Sequence, residues 1–161
     1  MKRAIIAALI GLATITSAHA ETDILVFGHS QHFKNSWNSP YNQWNFGAGV
    51  EYAPDGLRSD WGARSGQWLA GGFVVRDSIY RIGGAAYAGY RLEYHFSRDW
   101  HAEVTLRAGV IKDAYYTGFA ALPAIGIGYK RLTVEATFIP HIQCGNRFSD
   151  PVAVIWARYT F

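Results

Sequence analysis

Apolar and polar residues alternate along several stretches of the chain, most clearly over residues 100–111. One face of this stretch is apolar, whereas the other carries His101, Glu103, Thr105 and Arg107. A period of two is typical of a β-strand whose two faces meet different surroundings. One face suits lipid and the other a polar lumen, although a strand of a soluble sandwich would alternate in the same way.

Eight such strands are predicted, at residues 23–33, 44–53, 67–76, 79–95, 100–111, 121–130, 132–142 and 152–161. Most approach the ~9–11 residues that a tilted membrane strand needs, and exceed the ~5–6 residues of soluble strands. Tight turns alternate with longer loops, as periplasmic turns alternate with extracellular loops, and only residues 54–66 break this rule. The pattern therefore predicts an all-β fold, an eight-stranded antiparallel transmembrane β-barrel.

The N-terminus has the features of an export signal. Lys2 and Arg3 precede an apolar stretch that is too short to span a bilayer, and Ala18-His19-Ala20 matches the pattern cut by signal peptidase. We expect residues 1–20 to be a cleaved signal peptide and residues 21–161 to form the barrel. The last strand ends on Phe161, a terminal aromatic residue of the kind that outer-membrane assembly machinery recognises. The expected location is the outer membrane of a Gram-negative bacterium.

Composition narrows the possible functions. Two of the 15 basic residues lie in the signal peptide, and the remaining 13 nearly balance 12 acidic residues, which argues against a nucleic-acid partner. Cys144 is the only cysteine, so an intrachain disulfide is excluded and the role of this thiol stays open. His29 and His32 lack the spacing of a zinc site, and the loops do not cluster the acidic residues that calcium needs. We expect no metal and no cofactor.

An eight-stranded barrel is too narrow for a general diffusion pore. Charged residues that point into it need partners, because the interior is shielded from water. Lumenal ion pairs are therefore expected among five residues of strands two, five, seven and eight. They are Glu51, Glu103, Arg107, Glu135 and Arg158.

The predicted topology brings His29, His32, Asp77 and Ser78 to the outer rim. A histidine, a carboxylate and a hydroxyl can perform acyl transfer, with the histidine as general base and the serine as nucleophile or orienting donor. The residue types alone favour a simpler interpretation, in which Asp77 and Ser78 form a hairpin turn and the histidines belong to the interfacial belt. His29 and His32 are three residues apart and face opposite sides of a strand, and His32 lies nearer the rim.

Two prolines are expected at the outer ends of neighbouring strands. Pro123 opens the sixth predicted strand and Pro140 closes the seventh, and neither has an N–H for the ladder. A local gap between these strands follows. Such a gap could admit an acyl chain sideways from the membrane, or the prolines could merely trim the strand ends.

Several short motifs are shared with a known family. They are Arg76-Asp77-Ser78, Ala88-Gly89-Tyr90, Ala108-Gly109-Val110, Leu122-Pro123, the Gly-Ile-Gly-Tyr of residues 126–129, and Phe138-Ile139-Pro140. In this set the chain resembles the lipid A palmitoyltransferase (PagP) family over most of strands three to eight. The resemblance implies transfer of an acyl chain from a phospholipid to lipid A, with membrane lipids as partners and no cofactor. It also implies catalytic roles for Asp77, Ser78 and either His29 or His32, and a lateral gate flanked by Pro123 and Pro140.

The chain departs from that family at its N-terminus, where the clamping helix has no counterpart. This departure favours a second function, a non-catalytic barrel that binds lipopolysaccharide or another surface ligand. The run Ser30-Gln31-His32-Phe33, with Tyr41-Asn42 and Asn45 after it, also resembles small bacterial and phage barrels of unnamed function. That second resemblance favours His32 as the residue of interest.

Overall fold

The computed structural model describes residues 20–34, 40–113, 116–144 and 147–161, with backbone alone for 142–149. Eight strands form the wall of a barrel. They are β1 (Ala20–His32), β2 (Gly47–Pro54), β3 (Arg64–Arg76), β4 (Ile82–His95), β5 (Trp100–Lys112), β6 (Thr117–Tyr129), β7 (Leu132–Ile139) and β8 (Val152–Thr160). Each strand pairs antiparallel with its neighbours in sequence, and β1 also pairs with β8, which closes the barrel. The predicted fold class is confirmed.

The two ends of the barrel differ. Residues 96–99 and 130–131 make tight turns at one end, called here the short-turn end, where Ala20 and Phe161 also lie. The opposite, long-loop end carries the connections after β1, β3, β5 and β7. Residues 1–19 lie outside the described residues, and so does most of the expected signal peptide.

Six predicted strand boundaries differ from the structure by three or four residues. Strand β1 begins at Ala20 instead of residue 23, β6 begins at Thr117 instead of residue 121, and β7 ends at Ile139 instead of residue 142. Strand β2 begins at Gly47 instead of residue 44, and β4 begins at Ile82 instead of residue 79, because residues 77–81 form a turn. The connection 54–66 is long because a 3₁₀ turn and the short strand Arg58–Trp61 fold back along the first residues of β3. Strand β3 therefore begins at Arg64, ahead of residue 67. In the β7–β8 connection, Ile142–Cys144 and Arg147–Ser149 form a further small hairpin.

The outward surface of the barrel is apolar. Its middle is aliphatic, with exposed side chains that include Val26, Val74, Val104, Leu106, Ile125, Ile127 and Ile155. Aromatic side chains flank this band, with Trp68, Tyr94, Trp100, Tyr129, Tyr159 and Phe161 toward the short-turn end and Phe33, Trp44, Phe46, Tyr80, Phe119 and Phe138 toward the long-loop end. An aliphatic band between two aromatic girdles is the surface of a barrel that sits in a bilayer. No helix within the described residues is long and apolar enough to cross a membrane.

The lumen is filled by a buried network of charges. The Arg91 guanidinium donates to Asp23 at 2.7 Å and to Glu51 at 2.8 Å. Arg107 bridges Glu51 at 2.6 Å and Glu135 at 2.7 Å. All five side chains are at least 95 % buried, so each charge relies on the others in place of water. The predicted pairing of Arg107 with its carboxylates is confirmed, whereas Asp23 and Arg91 were absent from the prediction.

Arg158 extends this network along β8. Its guanidinium donates to Glu135 at 3.0 Å, lies 3.4 Å from Asp23 and also bonds Glu103, which confirms the remaining predicted pairs. Room for these side chains comes from Gly126 of β6, where a Cβ atom would lie 2.8 Å from Cγ of Glu103 and 3.1 Å from Cγ of Glu135. The glycine is therefore required by packing rather than by backbone conformation.

An apolar layer fills the lumen between the charges and the long-loop end. Leu25, Phe27, Ala124 and Trp156 are buried together, with Phe73 packed against them. The Phe27 ring lies 4.7 Å from the Phe73 ring and 5.5 Å from the Trp156 ring, in tilted arrangements. The lumen thus changes from charged to apolar halfway along its length.

Candidate functional site

A β-bulge decides which histidine of β1 faces the lumen. The register of β1 against β8 shifts between Phe27 and His29, and a bulge of this kind moves the following residues to the opposite face. Phe27 and Ser30 are consequently both buried in the lumen although they are three residues apart. His32 shares the inward face with Ser30. His29 packs at 5.3 Å against Trp44, an exposed girdle residue.

His32 belongs to a cluster that also contains Tyr41 and Asp150. The imidazole stacks on the Tyr41 ring at 4.1 Å, and the Tyr41 hydroxyl donates to Oδ2 of Asp150 at 2.9 Å. Asp150 is 3 % exposed and acts electrostatically on the imidazole. A concavity of about 320 Å³ opens beside the cluster. It is lined by His32, Phe33, Lys34, Pro40, Tyr41 and Gln43.

Asn42 links this cluster to the turn that contains Asp77 and Ser78. The Asn42 N–H donates to the Ser78 carbonyl at 2.8 Å, and its side-chain amide donates to the Asp77 carbonyl at 3.3 Å. The same amide also bonds the Trp44 carbonyl at 2.9 Å, so one side chain ties the Asp77 turn to the backbone of residues 42–44. The Asn42 side chain is buried, so these bonds are shielded from competing water.

A second asparagine ties the same segment to β1 and β3. Asn45 donates to the Arg76 carbonyl at 3.0 Å, and the Ser30 hydroxyl donates to its Oδ1. Ser30 and Asn45 are both buried. Two buried asparagines therefore hold residues 41–46 across the mouth of the lumen, with His32 on one side of the segment and Ser78 on the other.

Asp77 organises its own turn. Its Oδ1 accepts the N–H groups of Ile79 at 3.0 Å and Arg81 at 2.7 Å, and its backbone N–H donates to the Arg81 carbonyl at 2.7 Å. This is the turn geometry that an aspartate favours through local backbone bonds. The other oxygen, Oδ2, is buried and accepts no hydrogen bond from the residues that the structure describes.

We expect Asp77→Ala to lower the free energy of unfolding by about 1–3 kcal/mol, because two backbone N–H groups lose their acceptor. Asp77→Asn keeps an oxygen at the Oδ1 position and is expected to cost less than about 0.5 kcal/mol. Urea unfolding of the two variants in detergent measures both values. Equal losses for alanine and asparagine would contradict the turn-forming role.

All four predicted site residues lie at the long-loop end, but they do not form one contact group. The acidic side chain beside His32 is Asp150 instead of Asp77, which bonds its own turn. Sequence reasoning did not single out Asp150, which is 118 residues away from His32. The sequence did show Tyr41-Asn42 as a motif. Its closeness to His32 along the chain was the signal that could have indicated the cluster.

The ladder between β6 and β7 is short. It runs from Tyr129↔Leu132 to Ile125↔Ala136 and pairs no residue closer to the long-loop end. Beyond it, the Thr137 hydroxyl donates to the Pro123 carbonyl at 2.6 Å, in place of a backbone bond. The unpaired outer parts of the two strands are called here the β6–β7 seam. Pro123 lies in the middle of β6 and pairs with Leu106 of β5, so the expectation that it opens the strand is wrong.

The seam leads to the apolar layer of the lumen. Ala124 follows Pro123 and is buried in that layer together with Leu25, Phe27 and Trp156. Pro140 is exposed directly after the last residue of β7. The apolar layer therefore lies beside a stretch of the wall where the β6–β7 ladder is interrupted.

Within the described residues, one group of side chains has the spacing of metal ligands. The histidine, cysteine and carboxylate side chains that come within range of one another are Glu93, His101 and Glu103, at the short-turn end. The His32 cluster is not among them. Its chemistry is therefore that of an imidazole with a phenol and a carboxylate, which suits proton transfer.

These features define the class of protein, an eight-stranded β-barrel with a lipid-facing exterior and a lumen filled by charges and apolar side chains. No family model and no curated protein matches the chain. Among solved structures, the chain is similar to the outer membrane protein Ail of Yersinia pestis in a phospholipid bilayer nanodisc, at 10 % identity and a TM-score of 0.44. The similarity covers 88 % of this chain and 99 % of that one. A similarity of this size transfers neither a function nor a ligand, and the resemblance to lipid A palmitoyltransferases rests on the shared motifs alone.

Proposed function

We propose that the protein is an outer-membrane acyltransferase that moves an acyl chain of the palmitoyl type from a phospholipid to lipid A. The observation that carries this function is the β6–β7 seam, an unpaired stretch of wall that lies between the bilayer and the apolar layer of the lumen, toward the end of the barrel that holds His32. A phospholipid tail is apolar and belongs in such a layer, whereas a polar substrate would lose its hydration there.

The orientation of the barrel in the membrane follows from the difference between its two ends. Short turns face the periplasm and long loops face the exterior in outer-membrane barrels. The His32 cluster then lies in the outer leaflet, which is where lipid A resides. A phospholipid in the same leaflet would pass its acyl chain through the seam, between Pro123 and Pro140.

The chemistry is an ester exchange. His32 takes the proton of the lipid A hydroxyl as its oxygen attacks the phospholipid ester carbonyl, and returns the proton to the departing lysophospholipid oxygen. One ester bond forms, one breaks, and no redox partner is needed. Tyr41 holds the imidazole by stacking and is itself held by Asp150. In this proposal Ser78 approaches the reacting hydroxyl from the other side of residues 41–46, and Asp77 shapes the turn that carries Ser78.

The test is the mass of lipid A from a host that lacks its own palmitoyltransferase. Expression of the wild-type chain is expected to add one acyl chain to lipid A. His32→Ala is expected to lower the transfer rate by about 10²–10⁴-fold, as expected for the loss of a general base, and Ser78→Ala is expected to lower it as well. His29→Ala is the matched control, because His29 packs against the outer Trp44, and it should transfer normally. An unmodified lipid A mass with a folded wild-type barrel would overturn the proposed reaction.

A second candidate is a non-catalytic barrel that binds lipopolysaccharide through the same rim. The concavity beside His32 includes Lys34, an exposed cation suited to an anionic phosphate. Under this function lipid A mass stays unchanged, and Lys34→Ala weakens the binding of lipopolysaccharide vesicles. The lipid A mass therefore distinguishes the two candidates.

A further inference from the structure

Across the β4–β5 hairpin at the short-turn end, a glutamate faces a glutamate and a histidine faces a histidine. In the register of the two strands, Glu93 pairs with Glu103 and His95 pairs with His101. All four lie on the lumenal face. Two carboxylates directly opposite each other repel, and such a pair destabilises a sheet unless something positive lies between them.

Three of the four side chains converge. One ligand atom each of Glu93, His101 and Glu103 can be chosen so that all lie within 4.8 Å of one another. Nε2 of His101 is 3.9 Å from Oε2 of Glu103, and Nε2 of His95 is 3.4 Å from Oε2 of Glu93. The two histidine rings lie 5.4 Å apart. His95 therefore adjoins the group through Glu93 and can supply it with a second nitrogen ligand.

The lumenal network holds more carboxylates than guanidinium groups. Five carboxylates line it, and the three guanidinium groups of Arg91, Arg107 and Arg158 face them, so two negative charges remain when the histidines are neutral. Oε1 of Glu103 is buried and accepts no hydrogen bond from the described part of the chain. Arg158 bonds the other oxygen, Oε2, and lies 3.9 Å from Glu93, so Oε1 is the Glu103 oxygen left for a cation.

We propose that Glu93, His95, His101 and Glu103 bind one divalent transition-metal ion, with Zn²⁺ as the best fit. Imidazole nitrogen with carboxylate oxygen in a four-ligand group suits Zn²⁺, whereas Ca²⁺ takes six to eight oxygen ligands. A Zn²⁺ ion with bonds of ~2.0–2.1 Å needs ligand atoms ~3.4 Å apart. The distance of 3.4 Å between His95 and Glu93 matches this spacing, whereas the 3.9 Å from His101 is measured to the Glu103 oxygen that Arg158 bonds.

The surroundings support such a site. Gly128 provides the space that the His101 ring occupies. The His95 side chain is 41 % exposed, so an ion can reach the group from the mouth of the lumen. The bound ion would join β4 to β5, neutralise the opposed carboxylates and close the lumen at the short-turn end.

The test is Zn²⁺ binding to the untagged chain purified from membranes in detergent, by competition with a chromophoric chelator. The wild-type protein is expected to bind one Zn²⁺ per chain, and Co²⁺ should give the absorption bands of a four-coordinate site. Glu93→Gln and His95→Asn are expected to weaken Zn²⁺ binding by at least about tenfold. Both variants should stay folded, because Glu93→Gln also relieves the repulsion from Glu103, and heat-modifiable migration on gels checks this.

The matched controls are Glu21→Gln and His141→Asn. Glu21 lies at the same end of the barrel but pairs with Arg58 at 2.8 Å, and His141 is exposed at the opposite end. Neither variant should change Zn²⁺ affinity. Unchanged Zn²⁺ binding in folded Glu93→Gln and His95→Asn, or no binding by the wild-type chain, would overturn the site. Because lipid A transfer is not part of the readout, this result is independent of the proposed reaction.

Discussion

Replacing Arg158 with alanine is expected to lower the free energy of unfolding by about 3–5 kcal/mol, the cost of leaving buried charges without their partner. Arg158 is 2 % exposed and bonds Glu103 and Glu135, and it lies 3.4 Å from Asp23. Without the guanidinium, these carboxylates would face one another in a shielded lumen. Urea titration of folding into phospholipid vesicles gives the free energy directly.

Two controls separate the loss of charge pairing from other effects of Arg158→Ala. Arg98→Ala removes an arginine from the exposed turn after β4 and is expected to change stability by less than about 0.5 kcal/mol. Arg158→Lys keeps the charge but loses the forked geometry that reaches several carboxylates, so an intermediate loss is expected. A loss below about 1 kcal/mol for Arg158→Ala would show that the network contributes little to the folded barrel.

The barrel was predictable because apolar and polar residues alternate with a period of two along the strands. Apolar residues of β5 face outward and His101, Glu103, Thr105 and Arg107 face inward, as the alternation required. The predicted strand boundaries were wrong where side-chain hydrogen bonds to the backbone compete with strand pairing. Ile79 and Tyr80 have side chains typical of a strand, but Asp77 bonds the backbone N–H groups of Ile79 and Arg81 and turns the chain.

The candidate site was only partly predictable, because it depends on features that sequence periodicity does not contain. The bulge between Phe27 and His29 reverses the facing of the following residues, and a regular strand pattern has no sign of it. The cluster of His32, Tyr41 and Asp150 brings β1 close to the loop before β8. That proximity follows from closure of the barrel by β1 and β8, not from spacing along the chain.

The proposed metal site had a signal in the sequence that was overlooked. Glu-x-His at residues 93–95 and His-x-Glu at residues 101–103 are mirror images around a tight turn. An antiparallel hairpin with that turn places like residues opposite each other.

Closing the β6–β7 seam is expected to abolish acyl transfer, because the seam is the proposed path of the phospholipid tail into the lumen. In a Cys144→Ser background, Leu122→Cys and Ile139→Cys place thiols at the two positions that the ladder would pair if it continued past Ile125↔Ala136. A cleavable bifunctional thiol reagent then joins the strands, and cleavage separates them. The control pair is Ile139→Cys with Val152→Cys, which joins strands that are already paired.

The most direct measurement is the rate of lipid A acylation by these cross-linked barrels in vesicles of phospholipid and lipid A. The seam-closed protein should lose transfer and regain it after cleavage of the cross-link, while the control pair should transfer at the uncross-linked rate throughout. Undiminished transfer by a barrel with a fully cross-linked seam would contradict lateral access of the acyl chain between β6 and β7.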